Sequence, residues 1–386
     1  MGRTYHPDAT ATTDCFRNKF SSVRERILGL ARPDAMLTAP FMRKILVTGG
    51  AGYIGCILVP KLAATSQVTV VDALWFGRDA FDHSTAGLRP GAVELVPGDI
   101  RDRAFVADVL DRTAPDAVIH LAAVSNDPCS DLDESLTRSV NLEATGDLMR
   151  MCKERGVARL LNASSASVYG IKEQSDVTED LSLEPLTLYA RYKAETESIV
   201  NELVDDTFCA ASVRAATVCG YSPRLRLDLT INILSYHALT RGEIRVFGGE
   251  QKRPNIHVQD LTDFYIHLLD CDAAQINGQA FNVVRENASV MALAEMIRDQ
   301  ILSYRPDDER GELPIRIVPT EDRRSYHLSG QRARRELNFQ PKHELGEAVA
   351  ELRAAFADGR IADPHHYRYR NIDVMKKHPE RTRWTG

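Results

Sequence analysis

Ile45 to Gly55 reads ILVTGGAGYIG, an apolar β-type run that passes without a break into Gly49-x-x-Gly52-x-x-Gly55 at the mouth of a helix. Glycines at that spacing suit a strand-to-helix turn that is tight, lets backbone approach a ligand, and allows the helix to pack close on its strand. A helix opened in this way favours a pyrophosphate, because its free N–H groups and its dipole point at the anion. Ordinary strand-turn-helix connections also carry glycines, so the next strand decides between the two. That apolar run, VTVVDAL, ends in Asp72, at a distance from the glycines that suits a carboxylate bonding both ribose hydroxyls of an adenosine. An acid there repels a 2′-phosphate, and no Arg occurs until Arg78, which favours NAD over NADP.

Along the rest of the chain, apolar runs alternate with helical periods, the signature of a parallel sheet with crossover helices. Strands are expected at 44–48, 67–72, 93–97, 117–121, 159–163 and 212–218, with helices near 53–64, 103–112, 134–155 and 189–203. After Gly220 the rhythm changes to shorter strands and helices, at 229–241, 244–247, 260–269, 279–284, 290–303, 315–318 and 343–358. The expected fold class is α/β, a Rossmann-type doubly wound parallel sheet with a smaller α+β substrate-binding C-terminal domain. Its division is an N-terminal extension (1–42) with one amphipathic stretch at 20–30, a dinucleotide-binding domain (43–220) that takes returning segments from the C-terminal half, a cap (221–360) and a C-terminal tail (361–386). The tail, rich in Tyr, Arg and His, reads as a surface tail or docking arm more than as a ligand site.

Composition excludes several classes. The 386 residues carry 48 Lys and Arg against 54 Asp and Glu, a net charge of −6, which leaves no basic excess for a nucleic acid polymer. Hydrophobic content of 44%, charged content of 26% and a mean hydropathy of −0.27 describe a globular chain, with no apolar run long enough for a membrane span. Seven scattered cysteines, without CxxC pairs or zinc spacing, read as reduced thiols of a cytoplasmic protein, and no metal is expected.

Two further stretches carry chemistry. Ala163 to Gly170, ASSASVYG, closes the fifth strand, and Tyr189-Ala-Arg-Tyr-Lys193 opens the next helix. Tyr and Lys at i and i+4 share one helical face. A phenol of pKa about 10 is a poor base until a nearby ammonium stabilises its phenolate. With Ser165 polarising the same hydroxyl, the trio can remove a proton while hydride leaves the adjoining carbon for a nicotinamide. Asp99-Ile100 after the third strand is placed for the adenine, and Leu121-Ala122-Ala123 comes after the fourth strand at the ligand-binding edge of the sheet; His120 reads as a packing residue.

From residue 43 to about 358, TGGAGYIG, Asp72, HLAA, Asn141, SSASVYG, YxxxK and NIHVQDL together resemble the extended short-chain dehydrogenase/reductase family, in particular its nucleotide-sugar epimerases and dehydratases. The resemblance implies NAD held by Gly49, Gly52, Tyr53, Ile54, Gly55, Asp72, Asp99, Ile100, Leu121, Ala122, Ala123, Tyr189 and Lys193, with Ser165, Tyr189 and Lys193 catalytic. It implies a nucleotide-diphosphate sugar substrate near Ser125, Asn126, Ser165, Ser167, Thr217, Arg224, Arg253 and Arg324. It also implies a structural role for Asn141, and a homodimer paired through the helices that contain Asn141 and Tyr189.

Departures narrow the reaction. Sugar-nucleotide 4,6-dehydratases resemble this layout but carry an acidic pair where Ala166 and Ser167 stand, and decarboxylases of the group carry Glu at the Ser167 position, so both activities are disfavoured. Thr217 replaces a frequent Asn, and Pro254-Asn255 replaces a usual Asp-Tyr. The leading expectation is an NAD-dependent nucleotide-sugar epimerase acting at C4. A dehydrogenase releasing a 4-keto sugar and a dinucleotide-sensing protein without turnover stay open, although such a sensor usually loses the trio retained here.

Overall fold

Lys44–Thr48 (β1) is buried at every residue but its first, as a strand covered by helices on both faces requires. The computed structural model describes residues 43–174, 176–306, 311–320 and 327–383. Around β1 lie Gln67–Asp72 (β2), Val93–Pro97 (β3), Ala117–His120 (β4), Arg159–Ser165 (β5), Cys209–Ala215 (β6) and, arriving late in the chain, Ala280–Val283 (β10). They form a seven-stranded sheet in the order β10-β6-β5-β4-β1-β2-β3, parallel throughout. The strand order reverses between β1 and β4, and this reversal opens a crevice at the carboxyl edge.

Helices cover both faces. Gly55–Leu62, Asp79–Thr85 and Val258–Asp270 lie together on one face; Arg103–Thr113, Thr145–Glu154 and Leu188–Leu203 lie on the other. Leu148, Met149, Cys152 and Leu160 are buried in the core beneath the second group. The helix expected across 134–155 is interrupted by a π-helical stretch, Ser139–Ala144, which contains Asn141. A π-bulge of this kind often marks a functional site. Asn141 accepts from the Val124 backbone N–H at 2.7 Å and donates to its carbonyl at 2.9 Å, fixing the loop after β4.

The strand expected at 212–218 starts earlier, at Cys209, and breaks at Ala216. Thr217–Cys219 (β7) leaves the main sheet to pair with Lys252–His257 (β9), which in turn pairs with Glu286–Ser289 (β11). Ile244–Phe247 (β8) and Ile315–Val318 (β12) make a separate parallel ribbon. Helices Thr230–Arg241, Val290–Ser303 and Leu345–Ala357 pack on this part around Leu234, Ile297 and Val349, which gives the smaller α+β portion its own core. The described residues from 43 to 383 hold together as one unit, so sheet and cap are lobes of that unit. The expected extension at 1–42, its cysteine Cys15, and Arg324 lie outside the described residues.

Of the two readings of the C-terminal stretch, surface tail or docking arm, the described residues pack as a docked arm. Asn371–Lys377 is a helix whose Val374 and Met375 are buried, and Asn371 is 3% exposed. Scattered apolar residues among Tyr, Arg and His hide that burial, because the partner surface comes from the loops after β2, β3 and β4.

Candidate active site

A cavity of about 540 Å³ occupies the crevice at the strand reversal, within the range usual for small-molecule sites. Every site residue expected from the sequence lines it except Arg324, which is outside the described residues.

The glycine turn meets the demands read from its spacing. Gly49 has φ +72°, and a Cβ there would stand 2.6 Å from the Ala122 backbone nitrogen. A Cβ on Gly55 would stand 2.5 Å from the Gly50 Cα, so the start of the helix can lie against its own turn only as glycine. At the end of β2, the Asp72 carboxylate accepts from the backbone N–H of Ala51 at 2.9 Å and of Leu74 at 2.8 Å. Burial raises its pKa, while those two donors and the Arg224 charge oppose the rise. Turn and carboxylate are therefore braced into one cradle facing the cavity, and they fit the diphosphate and ribose of a dinucleotide.

At the other end of the cavity, Leu188–Leu203 starts from the Thr187 cap, whose hydroxyl accepts from Ala190 N at 3.2 Å and donates to Asp127 at 2.7 Å. One turn later Lys193 is buried, its Nζ donating to the Ala163 carbonyl at 2.6 Å and standing 5.9 Å from the centre of the Tyr189 ring. Desolvation drops the Lys193 pKa to about 8, opposed by Glu197. Ser165, at the end of β5, accepts from both the backbone N–H (3.2 Å) and the hydroxyl (3.0 Å) of Ser167. Behind it, Glu197 binds Ser164 and pairs with Arg214 (2.7 Å), and Arg214 in turn donates to the Tyr169 hydroxyl at 2.7 Å. This buried network locks the end of β5 to the helix that carries Tyr189 and Lys193.

Residues 45–283 match the NAD dependent epimerase/dehydratase family. The chain belongs to that family. Its cofactor is NAD, and the cradle of glycine turn and Asp72 fits it. A UDP-glucose 4-epimerase of Lactobacillus helveticus is 28% identical over 78% of this chain and 93% of its own. Among solved structures, the UDP-glucose 4-epimerase of Thermotoga maritima with UDP-glucose has a TM-score of 0.70 at 23% identity, covering 82% of this chain and 99% of that one. The dTDP-glucose 4,6-dehydratase of Streptomyces venezuelae with NAD bound has the same TM-score at 24% identity, covering 82% and 98%. Epimerase and dehydratase share the fold, so within the family the reaction has to be read from the side chains.

Several expected residues line the cavity and are also hydrogen-bonded within the protein. Asp99 is bound by Arg101 through two nitrogens, at 2.7 and 3.0 Å. Ser125 accepts from Asn371 (3.0 Å) and Arg226 (3.4 Å), and Asn126, at φ +75°, caps the short helix after it. His120 is sealed between Thr48 (2.7 Å) and Thr145 (3.0 Å), and its pKa is pushed down to about 3 by burial, as fits a packing residue. The Tyr53 hydroxyl turns inward to the Gly220 carbonyl at 2.7 Å, so its side chain braces the turn from beneath.

Sequence reading missed Asp228, the buried partner of Arg226, the aromatic wall of Trp75 and Phe76, and Asn371 with Ile372 from the C-terminal helix. The RLRLD stretch did hold a signal, since two arginines and an aspartate amid leucines must be buried together if those leucines are. Among the described residues no helix is long and apolar enough to cross a membrane, and no His, Cys, Asp or Glu cluster could hold a metal. The six described cysteines are free thiols, five of them buried.

Proposed function

We propose that this chain is an NAD-dependent nucleotide-sugar 4-epimerase. The observation that carries the reading is the arrangement of Ser165, Tyr189 and Lys193 on two rigid elements facing the cavity that also holds the glycine turn. NAD, when bound, supplies a carbon that takes up hydride from the sugar C4 and gives it back. Tyr189 accepts the C4 hydroxyl proton, and Lys193 holds a positive charge beside the phenolate so that this oxygen can act near neutral pH. Ser165 receives two hydrogen bonds from Ser167, which occupy its oxygen and leave its own proton free to be donated to the sugar oxygen. Arg253, which lines the cavity beside Thr217, is proposed for the substrate diphosphate.

Net elimination of water finds no support at the positions where the dehydratases carry acids. Ala166 is buried, and Ser167 spends its hydroxyl on Ser165. Sugar carrying deuterium at C4, presented as UDP-glucose and UDP-galactose, tests the reading. An epimerase interconverts the two with the label retained and without accumulation of reduced dinucleotide. A keto product with stoichiometric reduced dinucleotide would replace it by a C4 dehydrogenase, and tight NAD binding without turnover of any nucleotide sugar would replace it by a sensor. The homodimer is proposed on the resemblance alone, through the helical stretch that contains Asn141 (Ser139–Ala144, continuing into Thr145–Glu154) and the helix Leu188–Leu203 that contains Tyr189, and sedimentation checks it.

A further inference from the structure

The cavity wall contains two buried arginines, two residues apart, with unlike surroundings. Arg226 is paired with Asp228 through two nitrogens, at 2.9 and 3.1 Å. Arg224 is 6% exposed and has no carboxylate within ion-pair distance among the described residues. Its guanidinium donates to the Leu225 carbonyl at 2.9 Å and to the Asn371 side-chain oxygen at 2.6 Å, lies 4.3 Å from the centre of the Phe76 ring, and keeps a buried Nε–H without a partner. Its hydrogen bonds go only to neutral groups; burial and the neighbouring Arg226 charge lower its pKa to about 10, opposed by the charges of Asp228 and Asp72. A cavity-lining guanidinium with an N–H left over is suited to take an anion.

Position shows which anion. Phe76 lies just past the strand that ends in Asp72, and the Arg224 charge is felt at both Asp72 and Cys56, the second residue of the helix behind the glycine turn. Thr217 and Arg253, the residues proposed for the substrate, are not among its partners. Arg224 is also held from the far end of the chain. Asn371 receives its hydrogen bond, donates to Ser125 at 3.0 Å, and gives its backbone N–H to Asp228 at 3.1 Å. Beyond it, the Thr382 carbonyl accepts from Arg101 at 3.0 Å, and Arg381 donates to the Trp75 carbonyl at 3.1 Å.

We propose that Arg224, held in place by Asn371 of the C-terminal helix, is the counter-ion of the dinucleotide pyrophosphate and grips it from the side opposite the glycine turn, so that the last helix of the chain is part of the cofactor site. This assigns Arg224 to the cofactor and not to the sugar nucleotide expected from its sequence context, and it rests on the NAD reading of the cavity.

Calorimetry with NAD and, separately, with UDP-glucose on NAD-loaded protein tests it, on wild type, Arg224→Gln, Arg224→Lys and Asn371→Ala. Loss of a charge-assisted bond should weaken NAD binding roughly 10- to 100-fold in Arg224→Gln, less in Arg224→Lys and Asn371→Ala. UDP-glucose affinity should hold within about 3-fold. The melting temperature of cofactor-free Arg224→Gln should match or exceed that of wild type, while the rise that NAD produces shrinks. Unchanged NAD affinity with weakened UDP-glucose binding would give Arg224 to the substrate, and NADP affinity falling while NAD affinity holds would give it to a 2′-phosphate; either overturns the proposal. If Arg224→Gln does not fold, Arg224→Lys and Asn371→Ala decide by the same readouts. Wild type that binds no NAD would refute the cofactor reading itself, whatever Arg224 does.

Discussion

Lys193→Met should make the cofactor-free protein more stable while removing turnover. The Lys193 ammonium is buried, faced by the Ala163 carbonyl and the Tyr189 ring, with Glu197 one turn along but committed to Arg214 and Ser164, and with His120 neutral nearby. Burial takes its pKa from 10.5 to about 8. At about 1.4 kcal/mol per pKa unit, holding the charge costs the folded state on the order of 3 kcal/mol. Because the folded pKa lies below the unfolded one, the cost is present in full below pH 8. Between about pH 8 and 10.5 the unfolded chain binds a proton that the folded chain does not, so stability rises with pH and the cost is gone above that window. Methionine keeps the buried stem and drops the charge, at the loss of one hydrogen bond worth about 1 kcal/mol. Urea unfolding of both NAD-free proteins should show the variant ahead by about 2 kcal/mol near neutral pH, with the lead gone by about pH 10. A lead that is the same at both pH values, or a variant less stable near neutral pH, would refute the argument that the charge is strained. Retained turnover would refute the role proposed for it.

Single contacts give the other expectations. Tyr189→Phe should bind NAD and UDP-glucose as wild type does but lose roughly 10²- to 10⁴-fold in turnover, measured by single-turnover kinetics, because the ring stays and the proton acceptor goes. Gly55→Ala places a methyl 2.5 Å from the Gly50 Cα, backbone against backbone, so it should lose several kcal/mol of stability and NAD binding together, read by thermal melts with and without NAD. Wild type should prefer NAD to NADP roughly 10- to 100-fold by calorimetry, and Asp72→Ser should shrink that preference, because Arg78 is exposed and paired with Asp82.

Local pattern determined much of this protein. The alternation from Lys44 onward placed the strands of the parallel sheet, and the glycine turn, Asp72, Ser165 and the Tyr189–Lys193 spacing all proved to face one cavity, because each is set by a neighbour a few residues away on the same strand or helix. Elements such as Lys252–His257 and Glu286–Ser289 were not legible: their residues are polar, and they are strands only because β7 leaves the main sheet and offers an edge to pair with. Tertiary structure alone decided which protein groups the polar side chains of the site meet. Asp99 and Ser125 are hydrogen-bonded to Arg101 and Asn371, and Arg224, expected at the sugar nucleotide, is a buried cation with no carboxylate bonded to it. A charge's function depends on what desolvates it and what compensates it. For Arg224 those groups include Phe76 and Asn371, far apart in the sequence, which meet only when the chain has folded.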